Sequence, residues 1–214
     1  MRLLRQSLKR LCQSTLPRQW MMFHGPRSAR SIALTFDDGP HPEHTPRLLD
    51  ELARHNVRAT FFVVGEEAAK HKHLIERLNR EGHTLGHHTW THADLAVMPS
   101  RLVLDEVRRC RELLENVTGE PCNLFRPPRG HLTFAKTCGL WQHRQQIILW
   151  NVDPEDCAMQ SSELAINWAQ QYAPQGGDIV LLHDDHAQIV PLVSTLLDRV
   201  KNQGLNTATI ADWT

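Results

Sequence analysis

From Ser31 onward, short apolar runs alternate with stretches in which apolar positions recur every three or four residues. The first pattern suits strands covered on both faces, the second helices that lie on them. It predicts strands at 32–36, 59–64, 84–87, 123–126, 147–152, 179–183 and 205–209. Helices are expected at 46–55, 68–80, 101–116, 134–143, 163–172 and 189–202. Thr45, Ser100 and Ser162 stand immediately before three of these helices, and Gly82, Gly119 and Gly204 follow the ends of three. Regular alternation implies parallel strands joined by crossover helices. Seven strands over the span fit a small, incomplete barrel better than an eightfold one, and such barrels carry their reactive groups at the carboxyl ends of the strands.

Composition narrows the class. The 214 residues are 41% hydrophobic and 22% charged, and no run is long and apolar enough to span a bilayer. Five cysteines, Cys12, Cys110, Cys122, Cys138 and Cys157, include no C-x-x-C pair, so free thiols are expected rather than a disulfide framework or a cysteine zinc site. Charge is divided unevenly: residues 1–30 hold seven basic groups and no acid, which leaves 17 basic against 24 acidic groups, near −7, in the rest. An acidic body of 31–214 argues against a nucleic-acid groove. In the basic arm of 1–30, Leu4, Leu8 and Leu11 share one helical face, which suits an anionic membrane surface or a targeting segment as well as a plain basic helix.

Polar residues cluster at the predicted strand ends. Thr35-Phe36-Asp37-Asp38-Gly39-Pro40 delivers two adjacent carboxylates, whose side chains point in different directions, so one can bind a metal while the other takes a proton. The same string is also a good turn on conformational grounds alone. His88 and His92 are four apart, a spacing that lets both rings face one ion from a helical turn. Spacing alone is a weak signal in a chain with 14 histidines, and His83 with His87 makes a rival pair. Asp38 completes a two-histidine, one-carboxylate set with positions open for water and substrate. No Glu stands beside His88, so a general base must come from elsewhere, and Asp37 is free for it.

Arg126, before Pro127-Pro128-Arg129-Gly130, is expected to hold Asp37 in a bidentate pair and keep it ionised. Asp153 or Asp156 can orient and charge His183, which emerges from the apolar run 179–182. His183 and His186 with Asp184 and Asp185 form a second, weaker candidate for a metal.

Taken in order, these motifs resemble the polysaccharide deacetylases with the NodB homology domain, carbohydrate esterase family 4, over about residues 31 to 213. The resemblance rests on Thr35-Phe36-Asp37-Asp38-Gly39, His88-Thr89-x-x-His92, Arg126-Pro127-Pro128-x-Gly130, Asp153-x-x-Asp156 and Leu181-Leu182-His183. It implies a distorted (β/α)7 barrel and metal-dependent removal of N-acetyl or O-acetyl groups from polysaccharides. Asp38, His88 and His92 resemble the metal triad, which usually holds one zinc ion, with cobalt, nickel or manganese as substitutes. Asp37 resembles the general base, Arg126 the residue that tunes it, His183 the general acid and Asp156 its carboxylate partner. Leu181 matches the wall of the acetyl pocket, with Pro128 and Arg129 on the substrate side and the Arg129 N–H as an oxyanion donor.

Two positions depart from the family pattern. Arg129 stands where an aromatic is common, and Cys157 where a tryptophan is usual, which removes a large apolar wall from the substrate groove. The expected substrate is a polymer containing N-acetylglucosamine: chitin oligosaccharide, peptidoglycan or an exported polysaccharide. An O-acetyl esterase on a xylan-like polymer and a non-catalytic carbohydrate-binding protein are the alternatives. No nucleic-acid partner is expected, and any membrane contact would run through 1–30. No secretory h-region is legible, which leaves cytoplasmic and membrane-surface locations open, although many family members are exported.

Overall fold

Alternation along one strand organises the molecule. In Ser31–Asp37, here β2, residues Ile32, Leu34 and Phe36 join the large core between sheet and helices. Ala33 belongs to a second, inner cluster with Met22, Phe62, Ile148, Ile179 and Ile210. The two-residue period therefore turns Ala33, Thr35 and Asp37 to the inside of a curled sheet. A computed structural model describes residues 17–214 of the chain.

The other strands are β1 (Met21–Met22), β3 (Thr60–Val63), β4 (Thr84–His87), β5 (Leu124–Phe125), β6 (Gln146–Ile148), β7 (Ile179–His183) and β8 (Asn206–Ala208). They form one sheet in the order β1-β6-β5-β4-β3-β2-β7, with β8 beside β2, and every pairing is parallel. The curl closes loosely: after β6 the chain crosses to β7, where Val152 bridges Val180. Helices α1 (His44–Arg54), α2 (Gly65–Lys70), α3 (Lys72–Arg80), α4 (Ser100–Thr118), α5 (Phe134–Gln142), α6 (Ser162–Gln171) and α7 (Ile189–Asn202) occur between the strands. Leu48, Leu49 and Leu52 of α1 and Leu192, Val193 and Leu196 of α7 enter the large core with β2 and β7.

Several expectations change in detail. The single helix expected over 68–80 is two, broken at His71, whose backbone leaves helical geometry at φ −125° and ψ 45°. Strand 147–152 is cut to Gln146–Ile148, because the chain must swing from one neighbour to another to close the curl. Ser161 rather than Ser162 caps α6, accepting from the Leu164 N–H. Gly119 ends α4 in the left-handed conformation, φ 74°, that glycine adopts without strain.

Part of the expected basic arm lies inside the fold. Met21–Met22 pairs with β6, Met22 is buried, and Trp20 packs on Trp141. The amphipathic reading of Leu4, Leu8 and Leu11 falls outside the described residues. No described helix is long and apolar enough to cross a membrane. Cys110, Cys122, Cys138 and Cys157 are free thiols, the first two buried.

Candidate active site

Because the strands are parallel, their carboxyl ends share one rim, and the polar clusters are delivered there by β2, β4, β5, β7 and the segment after β6. Asp37 is the last residue of β2 and points inward; Asp38 follows with a left-handed backbone, φ 74°, so its carboxylate turns away to a different set of partners. A non-glycine residue in that region carries local strain. Thr89, φ 70°, and His92, φ 56°, share it. The expected helical turn across His88 and His92 is thus a loop: β4 ends at His87 and the chain reverses over two left-handed residues. Glu106 on α4 fixes that loop by accepting hydrogen bonds from the Trp90 and Thr91 N–H groups at 3.0 and 2.8 Å.

Asp38 Oδ1 lies 3.5 Å from His88 Nε2 and 3.2 Å from His92 Nε2, and it is buried with no hydrogen-bond partner. The His88 Nδ1–H donates to the Arg126 carbonyl at 2.7 Å, which leaves the Nε2 lone pair facing Asp38. Burial lowers the His88 pKa to about 3, against the pull of Asp38, so the ring is neutral. An orphaned carboxylate oxygen facing two imidazole nitrogens at ligand-to-ligand spacing fits a divalent cation. The rival pair separates: His83 Nδ1 accepts from the Ala59 N–H at 3.1 Å, and His87 Nε2 lies 2.6 Å from Gln145 Oε1.

Asp37 faces Arg126, whose Nη1–H groups donate to Asp37 Oδ1 at 2.7 Å and Thr35 Oγ1 at 2.8 Å. The pair is not the bidentate fork expected. Arg126 sends Nε to the Ile148 carbonyl at 3.2 Å and Nη2 to that of Leu149 at 3.4 Å, and its guanidinium lies over Phe62. Nor does Arg126 hold the Asp37 pKa down. Burial dominates and raises it, with Arg126 and then His183 pulling back, because neither side chain reaches water. Asp38 is likewise raised by burial, with His88 opposing.

On the far side, His183 Nδ1 lies 2.8 Å from Asp156 Oδ1. Asp156 Oδ2 accepts from the His183 backbone N–H at 2.8 Å and lies 3.1 Å from His186 Nε2. Burial would raise the Asp156 pKa, but the His183 and His186 hydrogen bonds outweigh it and bring it to about 2. For His183 burial works downward and is overridden by the bonds with Asp156 and Cys157, so its pKa is raised. Asp153 is elsewhere, accepting from Trp150 Nε1 and the Glu155 N–H.

The second candidate set does not assemble as expected: His183 and His186 converge on Asp156, while Asp184 is buried and accepts from Thr45 Oγ1. Burial raises the Asp184 pKa to about 7. A Cβ on Gly39 would collide with the Asp184 carboxylate, so Asp184 packs directly against the Asp37–Asp38–Gly39 turn. Leu181 is buried in β7, and Pro128 begins a single 3-10 turn in which Arg129 is left-handed, φ 57°. Arg129, Gly130, Leu149 and Trp150 line a groove of about 750 Å³ beside it. Thr35, Glu106 and Asp184 carry this scaffold and were not singled out for it in the sequence, although Thr35, two residues before Asp37, and Asp184, beside His183 at a strand end, had a positional signal.

Comparison with known proteins accounts for the arrangement. The family model described as polysaccharide deacetylase matches residues 24–139. A peptidoglycan-N-acetylglucosamine deacetylase of Bacillus cereus is 32% identical over 201 residues, covering 92% of this chain and 93% of the relative. PgdA, the peptidoglycan-N-acetylglucosamine deacetylase of Listeria monocytogenes, is 36% identical over 86% of this chain, which spans only 39% of that longer protein. The crystal structure of the Bc1960 peptidoglycan N-acetylglucosamine deacetylase superposes with a TM-score of 0.86 at 30% identity, covering 91% of this chain and 92% of that one. The curled parallel sheet is therefore the distorted (β/α)7 barrel, and the chain belongs to the polysaccharide deacetylases, the hydrolases of the NodB homology domain and carbohydrate esterase family 4.

Proposed function

We propose that this protein removes N-acetyl groups from N-acetylglucosamine-containing polymers such as peptidoglycan, chitin oligosaccharide or an exported polysaccharide, releasing acetate and leaving a free amine. The observation that carries the reading is the division of labour between neighbouring carboxylates: Asp38 turns to His88 and His92, Asp37 to Arg126. Asp38, His88 and His92 would hold one divalent cation, zinc first, with cobalt, nickel or manganese as substitutes. When bound, the ion supplies Lewis acidity that polarises a carbonyl and makes water more acidic.

The chain's own residues supply the proton transfers. Asp37, with a pKa already raised by burial, takes the proton from the water whose oxygen attacks the acetyl carbon. Its closeness to Arg126 fixes one oxygen and leaves Oδ2, 3.7 Å from His88 Nε2, directed at the site. The Arg129 N–H, presented by the left-handed turn, stabilises the developing oxyanion. His183, kept protonated by Asp156, gives its proton to the nitrogen as the C–N bond breaks. Leu181 and Pro128 exclude water around the acetyl methyl group.

The test is acetate release from N-acetylglucosamine oligomers and peptidoglycan fragments, before and after chelation, with zinc or cobalt restored. Chelator-sensitive release is the expected result. Release from O-acetyl xylan alone would make the protein an esterase. No release from any of them, with one ion bound per chain, would leave a carbohydrate-binding role.

A further inference from the structure

Cys157 occupies the position where the family pattern leads one to expect a tryptophan, and the structure puts it to a different use from a groove wall. Its Sγ lies 3.2 Å from His183 Nδ1 and 3.7 Å from Nε2. Asp156 Oδ1 lies 2.8 Å from the same Nδ1. A thiol, an imidazole and a carboxylate thus offer donor atoms that all lie within 4.8 Å of one another. Asp156 is buried and Cys157 exposed, so the cluster is anchored on one side and open to solvent on the other.

We propose that Asp156, Cys157 and His183 form a second cation site, for a borderline or soft divalent ion such as zinc or cadmium. It differs in kind from the set of Asp38, His88 and His92, which contains no sulfur. The ion takes the place of the proton between Nδ1 and Oδ1, and the thiol binds as thiolate; two protons leave to solvent for each ion bound. Bond lengths of about 2.0–2.3 Å to oxygen, nitrogen and sulfur set donor separations of roughly 3.3–3.5 Å in a tetrahedral site. The present 2.8 and 3.2 Å need to open by only a few tenths of an ångström, and exposed Cys157 is free to move. Asp156 Oδ2 stays tied to the His183 N–H and His186, which holds the carboxylate in place.

The consequence for turnover rests on the role proposed above for His183; the site itself does not. An imidazole holding an ion at Nδ1 has lost its carboxylate partner and its positive charge. Zinc beyond the first equivalent therefore inhibits.

Cobalt titration of the purified protein tests the site directly, because only a sulfur ligand gives a near-ultraviolet thiolate-to-cobalt charge-transfer band. Two equivalents are expected to bind, one of them with that band. Cys157→Ser should abolish the band and keep the other equivalent; His92→Ala should do the reverse. No sulfur band up to saturation, or a band unchanged in Cys157→Ser, overturns the proposal. In the activity arm, half-inhibition by zinc, normalised to each variant's own rate, should need at least tenfold more zinc in Cys157→Ser. Equal sensitivity would refute the inhibitory consequence. A Cys157-dependent band in a protein that releases no acetate would uphold the site and reject the deacetylase reading instead.

Discussion

Arg126 Nη1 lies 2.7 Å from Asp37 Oδ1 with both side chains shut away from water. Breaking a buried ion pair by removing one partner strands the other charge, at a cost of about 3–5 kcal/mol. Arg126→Met should lose stability of that order in urea unfolding and show no detectable turnover. The double variant Arg126→Met with Asp37→Asn should recover part of the stability and none of the activity. A single variant as stable as the wild type would mean that the pair contributes nothing to the fold.

Asp37 and the metal-facing His88 should separate cleanly by metal content. Asp37→Asn is expected to bind one divalent ion as the wild type does while kcat falls by about 10²- to 10⁴-fold, the range for loss of a general base. His88→Ala should lose both metal and activity. Elemental analysis beside acetate assays checks this, and wild-type turnover in Asp37→Asn would remove it from the role of base.

The Asp156–His183 pair predicts a pH profile. His183 has its pKa raised on folding, so the stability it contributes is complete below the ordinary imidazole value of about 6.5 and is lost only as pH rises through the higher folded value. Asp156 is depressed to about 2, so its contribution is present above the ordinary carboxylate value and lost as pH falls toward 2. Both are therefore in force at neutral pH. Histidine NMR should show His183 protonated and unmoved between about pH 6 and 8, and Asp156→Asn should return its titration to about 6.5. A wild-type His183 that titrates at the ordinary value would defeat the prediction.

His83 works in the opposite direction. Burial against Phe61 lowers its pKa to about 4, Glu81 opposing, and its Nδ1 is occupied by the Ala59 N–H. Between about pH 6.5 and 4 the unfolded chain takes up a proton that the folded one refuses, so stability falls on acidification, by up to about 3 kcal/mol from this group. His83→Gln should flatten that part of the stability curve. An unchanged slope would mean that His83 is not the group responsible.

Gly39→Ala tests the packing of Asp184 against the turn that carries the carboxylates. The added methyl would meet the Asp184 carboxylate, which is tied to Thr45 and cannot swing freely. Divalent-ion affinity should drop with stability, and adding Asp184→Ala should restore metal binding in part. Unaltered affinity in the single variant would show that the turn tolerates the displacement.

Much of this was legible because parallel strands deliver residues to one rim, a topological fact that spacing alone exposes. Asp37, Asp38, His88, Arg126 and His183 needed only the order of strands and helices to be gathered, whereas Asp153 and Asp156 stayed alternatives as the partner of His183. What could not be read was direction. The left-handed backbones of Asp38, Thr89 and His92 leave no mark in a pattern of apolar residues, so a loop passed for a helical turn. The break at His71 was hidden because only Ala68, Ala69 and Lys70 of the first helix fall within 68–80, too few to show a period of their own. Met21–Met22 is too short to show a period, and it joins the sheet through backbone bonds that any residues can make.

The loose closure of the barrel bears on how this fold can change. Where the chain leaves β6 to reach β7, the carbonyls of Ile148 and Leu149 receive the Nε and Nη2 of Arg126. The guanidinium thus bridges the seam, giving both carbonyls a side-chain donor where the chain changes neighbours. A descendant that abandoned hydrolysis would still need a flat, forked cation in the wall, and with it a partner at Asp37 or nearby for the buried charge.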